Sequence, residues 1–213
     1  KNKLAGIFGN AGCFSFWATK NITTGEGGAI ISNDLSFISR VRTYMSHGIA
    51  ADTHSRQKLL KPWARDSIMP GVNFRMSDVA AAIGVAQFKK LKRLNMLRVK
   101  KAGYLSNGLK KIPGVELPYI APGAKSVWQM YVIKVPEGMR DKLVLELRKK
   151  GIGASVHFDP PVHLQSYYSK NFKKVRLPIT EKLSKSVITL PLFPGLTKAE
   201  LNYVIEQVKS VLG

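Results

Sequence analysis

The stretch Cys13–Ser32, CFSFWATKNITTGEGGAIIS, decides how this chain is read. Two runs rich in aromatic and β-branched residues, Cys13 to Trp17 and Ala29 to Ile31, are separated by polar sequence full of Thr and Gly. Runs of this composition bounded by turn residues predict two buried strands. Lys20 falls between them. A lysine held where two buried strands meet is partly stripped of water, which favours its neutral amine and suits it to Schiff-base chemistry. The same lysine on an open turn is an ordinary solvated side chain, so its neighbours decide.

Outward from this stretch, Gly6, Gly9 and Gly12 give a loop-like entry that matches neither G-x-G-x-x-G nor a phosphate-binding G-x-x-x-x-G-K-[ST] loop. On the other side, Asn33 or Asp34 can cap a helix carrying Leu35, Ile38, Val41 and Met45 on one side, ending before Gly48. From Ile49 to Gly71 the periodicity weakens, with Pro62, Trp63 and Pro70 as breakers. A loop of that length in a compact domain is expected to cover a site. Ser77 is an N-cap candidate for a helix over about 79–97, with Asp78 in its first turn, and a second helix is expected over 99–111. Beyond Pro113-Gly114 the pattern alternates. A strand is expected from Val127 to Val135, a helix from Arg140 to Lys150 closed by Gly151, and a short strand from Gly153 to Phe158. A helix near 179–186, a strand from Val187 to Leu190 and a capping box Thr197-Lys198-Ala199-Glu200 before a last amphipathic helix complete the chain. This gives a domain scheme of 1–75, 76–114 as connecting helices, and a small α+β domain over 115–213.

The chain has 213 residues, 45 % of them apolar, and its mixture of charge and hydrophobicity is that of a globular protein. No run approaches the roughly 18 apolar residues that a membrane span needs. The single Cys13 lies in an apolar run, so no internal disulfide is possible and a reducing, cytoplasmic setting is expected. The net charge of +21 points either to a polyanion-binding surface or to an acidic share carried elsewhere in a longer protein. Lys89-Lys90, Lys92-Arg93, Lys100-Lys101 and Lys149-Lys150 fall on helix faces, and neither zinc-finger spacing nor an RNA-recognition signature accompanies them. His157, Asp159 and His163 make a weak ligand set without a second cysteine, and no metal is assigned. The sequon Asn21-Ile22-Thr23 lies between apolar strands and is discounted, and no nucleophile-elbow G-x-S-x-G is present.

The order Ser15-Phe16-Trp17-Ala18-Thr19-Lys20-Asn21, followed by Gly25-Glu26-Gly27-Gly28, resembles the lysine segment of the DegT/DnrJ/StrS family. These are pyridoxal-phosphate-dependent aminotransferases that convert keto-sugars on nucleotides into amino-sugars. Arg42 to Gly48 is similar to the end of the helix that follows that lysine. Gly71 to Gly84, GVNFRMSDVAAAIG, is similar to the family's N-x-R-x-[ST]-[DE] helix start, and Pro161-Val162-His163-Leu164-Gln165 to its P-x-H-x-Q loop. The resemblance covers essentially the whole chain. It implies an α/β fold, namely part of a type I pyridoxal-phosphate aminotransferase fold: the remainder of a large domain plus the small C-terminal α+β domain.

By that resemblance Lys20 would be the catalytic Schiff-base residue and proton shuttle, and Ser15 would sit beside the phosphate of pyridoxal 5′-phosphate. Asn73 would reach the phosphate of a partner subunit's cofactor in a homodimer with shared sites. Arg75 and His163 would lie near the nucleotide-sugar substrate, and an amino acid such as glutamate would be the amino donor. The departure is as informative as the match. A pyridoxal enzyme needs an acid for its ring nitrogen, and none of the residues before Lys20 is Asp or Glu. The chain is therefore expected to be the C-terminal part of a family member and to have little transaminase activity by itself. The alternative from another class is a basic regulatory or nucleic-acid-binding module derived from such an enzyme. The two would be separated by salt-sensitive nucleic-acid binding that ignores Lys20→Ala.

Overall fold

The computed structural model of the chain describes residues 4–50, 57, 58, 60–172 and 175–213. They form two compact units that divide between Leu91 and Lys92.

The first unit holds the opening stretch. Strand β1 (Gly12–Ser15) pairs antiparallel with β2 (Gly28–Ile31), with Cys13 opposite Ile30 and Phe14 opposite Ala29. Both strands stand where the sequence places them, but the expected burial is absent. In β1 only Gly12 is buried, and in β2 no residue is. An apolar run is buried only where other layers cover it, and among the described residues this sheet stops at two strands. Helix α1 (Leu35–Tyr44) follows, capped by Asp34, whose carboxylate accepts from the backbone of Ser36 and Phe37 at 2.9 and 3.0 Å. Past α1 the chain turns through Gly48, at φ +73°, where a Cβ would lie 1.7 Å from the carbonyl oxygen of Met69. Only glycine fits there, and the close approach lets Ile68 N donate to Gly48 O and His47 N donate to Val72 O. The long loop expected to act as a cover falls in part on 51–56 and 59, outside the described residues.

Helix α2 (Asp78–Leu109) runs into the second unit without a break. Two helices were expected, meeting near Arg98. No Pro or Gly interrupts the sequence there, and the Arg98 guanidinium donates to the carbonyls of Trp128 and Leu192 at 3.3 and 2.8 Å, fastening the helix at that point.

The second unit contains the core. β3 (Tyr131–Lys134) pairs antiparallel with β4 (Val187–Leu190), flanked by single bridges from Glu116 and Ser155. The strand expected to start at Val127 starts only at Tyr131. Trp128, at φ 51°, turns the chain, and its N–H is taken by the Ser126 hydroxyl at 3.1 Å. Helices α3 (Arg140–Lys149) and α6 (Lys198–Leu212) pack together, with the short helices α4 (Ser166–Asn171) and α5 (Pro178–Ser184) before β4. Ala102, Leu105 and Leu109 of α2, Tyr131 and Ile133 of β3, Leu143 and Leu147 of α3 and Val208 of α6 are all sealed from solvent. Burying each leucine contributes about 1.5–3 kcal/mol. Every buried hydrophobic residue among those described, from Ala102 to Val208, belongs to this unit. No described helix is long and apolar enough to cross a membrane.

The capping box of α6 forms as expected, Thr197 Oγ1 accepting from Glu200 N and Glu200 accepting from Thr197 N at 2.7 Å. The backbone and hydroxyl of Thr197 hold the Glu200 carboxyl below the ordinary carboxylate value of 4.5. The Leu177 backbone N–H, followed by the bond to His163, does the same for Glu181. Because these values are depressed in the folded state, their contribution is complete above 4.5 and is lost as pH falls through the folded values. The urea midpoint of the second unit is therefore expected to fall between pH 6 and pH 3. Glu181→Gln, which has no such proton to gain, is expected to fall less.

Candidate functional site

Lys20 sits on a turn closed by its own N–H donating to Trp17 O at 2.9 Å, and it is half-buried. Two threonines build the loop that carries it. Thr23 Oγ1 donates to Phe16 O at 3.0 Å and accepts from Gly25 N at 2.9 Å. Thr24, which is buried, donates from its hydroxyl to Glu26 O at 2.6 Å and from its N–H to Phe16 O at 2.9 Å. A Cβ on Gly84 would touch the Thr24 methyl at 3.0 Å, so the loop rests on the first turns of α2. Thr24 is not singled out by the sequence reading, and Thr23 enters it only within the discounted sequon. The signal was there, as two adjacent hydroxyls before a glycine, the pattern of side chains that bond their own turn.

Ser15 is on the same hairpin, its hydroxyl accepting from Trp17 N at 3.3 Å. Asn73 and Arg75 lie on the segment leading to α2, where Asn73 is bridged to Ser46 and its side-chain oxygen accepts from Arg75 Nε at 3.1 Å. Asn73 and Arg75 are exposed, so both present polar groups to the solvent side of the first unit. The structure thus sets Ser15 with Lys20 on one hairpin and pairs Asn73 with Arg75.

His163 belongs to the second unit. It lies on a single 3-10 turn, Val162–Leu164, with Nε2 at 3.2 Å from Glu181 Oε1. His163 lines a cavity of 710 Å³ walled by Phe158, Val162, Tyr168, Phe172 and Leu177. His157, considered with His163 for metal binding, bonds instead through Nδ1 to the Thr189 hydroxyl at 2.8 Å.

An amine on a braced turn with a hydroxyl five residues before it can hold an aldehyde and an anionic group, and the Asn73–Arg75 pair offers a second set of polar groups. Comparison with known proteins gives this set a context. A sequence model of the DegT/DnrJ/EryC1/StrS aminotransferase family matches residues 1–209. The chain belongs to this family. It is 32 % identical over 219 residues to the spore coat polysaccharide biosynthesis protein SpsC of Bacillus subtilis (strain 168), covering 100 % of the chain and 56 % of SpsC. Among solved structures it is similar to PseC of Helicobacter pylori, an aminotransferase involved in the biosynthesis of pseudoaminic acid. That match has a TM-score of 0.88 and 26 % identity, and covers 100 % of this chain and 56 % of PseC. It is likewise similar to Spr1654 of Streptococcus pneumoniae in its PMP form, with a TM-score of 0.89, 26 % identity and coverage of 99 % and 55 %. The mixed α/β chain is thus part of an aminotransferase fold, spanning about half the length of the relatives it matches.

Proposed function

We propose that this chain is the lysine-bearing part of a pyridoxal-phosphate-dependent aminotransferase that converts a nucleotide-linked keto-sugar into an amino-sugar. The observation that carries the reading is Lys20 on its threonine-braced turn, within a chain that belongs to the aminotransferase family. Spr1654, a structural neighbour, is described in PMP and PLP forms, which supports the choice of cofactor.

The residues fit one end of that cofactor. Lys20 Nζ suits the aldehyde and the Ser15 hydroxyl the phosphate, while the Asn73 side chain would reach the phosphate of a partner subunit's cofactor. No acid precedes Lys20 in the sequence, so the partner for the ring nitrogen is not among those residues. Pyridoxal phosphate, when bound, supplies the electron-withdrawing ring that makes the α-proton of an amino donor labile. Lys20 Nζ is the group on this chain that would move a proton between the substrate carbon and C4′ of the cofactor, in one direction with the amino donor and in the other with the sugar. Arg75, a fixed cation beside Asn73, would orient the anionic nucleotide, and His163 would face the sugar. The domain scheme of 1–75, 76–114 and 115–213 and a homodimer with shared sites are part of the same reading.

The chain alone is expected to transfer no amino group, since it holds the amine without the ring acid. The test is reductive trapping. The full chain is incubated with substoichiometric pyridoxal phosphate, reduced with borohydride, and mapped by peptide mass. Lys20 is expected to take most of the label, and Lys20→Ala to lose it. Label spread evenly over the lysines would overturn the assignment, and turnover of glutamate by the chain alone would overturn the expected inactivity.

A further inference from the structure

The His163 ring is held by groups to which the proposed function gives no part. Its Nε2 lies 3.2 Å from Glu181 Oε1, and the same oxygen accepts from Leu177 N at 2.8 Å. The Leu177 bond first, then the His163 bond, hold the Glu181 carboxyl below the ordinary value of 4.5, and the Arg176 charge adds to them. At neutral pH Glu181 is therefore a carboxylate, and a carboxylate only accepts. The proton in the bond belongs to His163. Nε2 is then the N–H nitrogen, and Nδ1 of the neutral ring is an acceptor.

The two partners stand on separate segments, His163 on the turn Val162–Leu164 and Glu181 in α5. Arg140 reaches both segments. Its Nη2 donates to Asp159 Oδ2 at 2.7 Å, four residues before His163, and its Nη1 donates to the backbone oxygen of Ser184 at the end of α5. The Ser184 hydroxyl in turn donates to Glu181 O at 2.9 Å. Bonds thus close a ring from Arg140 through Asp159, His163, Glu181 and Ser184 back to Arg140. With the guanidinium buried, such a ring has little slack.

We propose that Glu181 and Arg140 are positioning residues for His163, which keep its ring in the Nε2–H form with Nδ1 as the acceptor. Glu181 fixes the tautomer, and Arg140 holds the two segments at the separation that the bond needs. What the ring then binds rests on the reading that His163 faces the sugar. A neutral acceptor nitrogen takes a proton donor such as a hydroxyl, and offers nothing to a keto oxygen or a phosphate. His163 would therefore read a sugar hydroxyl and leave the carbonyl to Lys20.

The test is long-range proton–nitrogen correlation NMR on the full chain at about pH 8.5, where an imidazole of ordinary pKa, about 6.5, is neutral. The His163 signal is assigned by its loss in His163→Gln. It is expected to show the Nε2–H form alone, whereas an unconstrained ring averages over both tautomers. Glu181→Ala should turn the signal into that average, and Arg140→Ala should do the same by releasing both segments. Asp159→Ala, which frees only the segment leading to His163, keeps that arm readable if Arg140→Ala unfolds the unit. Slow exchange of the β3 and β4 amides identifies the variants that remain folded. Two signals should not respond. His157 lines the same cavity but bonds through Nδ1 to the Thr189 hydroxyl at 2.8 Å, so Glu181→Ala should leave it in place. Leu105→Ala, a core truncation of similar cost, should leave His163 in its single form, which a general loosening would not. A tautomer average in the unaltered chain, a His163 signal unmoved by Glu181→Ala or by a folded Arg140 or Asp159 variant, or one moved equally by Leu105→Ala would each overturn the proposal. Every readout is taken without substrate or cofactor. Failure of Lys20 to take its label, or of the sugar to reach His163, would leave them all in place, so the two readings fail separately.

Discussion

Leu105→Ala is expected to lower the unfolding free energy of the second unit by about 3 kcal/mol. Leu35→Ala, the same change in the first unit, is expected to shift stability by less than about 0.5 kcal/mol. Leu105 is 0 % exposed, on the face of α2 that also carries Ala102 and Leu109, one turn apart from each. Truncation there removes the transfer free energy of three carbons and leaves a cavity that β3 and α6 cannot both close. Leu35 starts α1 at 81 % exposure, so its truncation forfeits little contact, and alanine is the better helix former. The readout is exchange of the Ile133 and Leu190 amides, which report opening of the sheet in the second unit. If the two substitutions cost the same, the placement of the core in one unit is wrong.

How far the sequence carries depends on how local each signal is. The strand Val187–Leu190 and the Thr197–Glu200 box are set by neighbouring residues, and both were legible. The expectation for Lys20 rests on the ordered residues around it, because the segment that resembles the family's lysine segment is contiguous. The burial of Cys13–Trp17 was misjudged because hydrophobicity states what a strand requires, and only other layers supply it. The continuity of α2 was missed because the residues that hold it, the carbonyls of Trp128 and Leu192, lie far along the chain from Arg98. For the same reason nothing in the sequence distinguished Arg140 from the many basic residues on helix faces.

Arg140 is where the largest polar effect is expected. It opens α3, an unfavourable place for a cation beside the positive end of the helix dipole, and it is nonetheless buried. Three groups hold it. Its Nε donates to Asp141 Oδ1 at 2.7 Å, Nη2 to Asp159 Oδ2 at 2.7 Å, and Nη1 to the backbone oxygen of Ser184. Burial acts to lower its pKa, but the bonds to Asp141 and Asp159 outweigh it and leave the value raised, so the side chain stays charged. One guanidinium thereby ties the start of α3 to the end of α5 and to the segment before Pro160, which borders the cavity that contains His163. Arg140→Ala strands a buried carbonyl and leaves Asp159 without its cation, and a loss of about 2–4 kcal/mol is expected in urea unfolding of the second unit. Arg140→Lys should recover less than half of it, because an ammonium cannot span a fork of three acceptors. A double-mutant cycle with Asp159→Asn should give a coupling of about 0.5–3 kcal/mol. Zero coupling would place the cost of Arg140→Ala in packing alone and remove Asp159 from the account, because an exposed ion pair without geometric constraint contributes almost nothing.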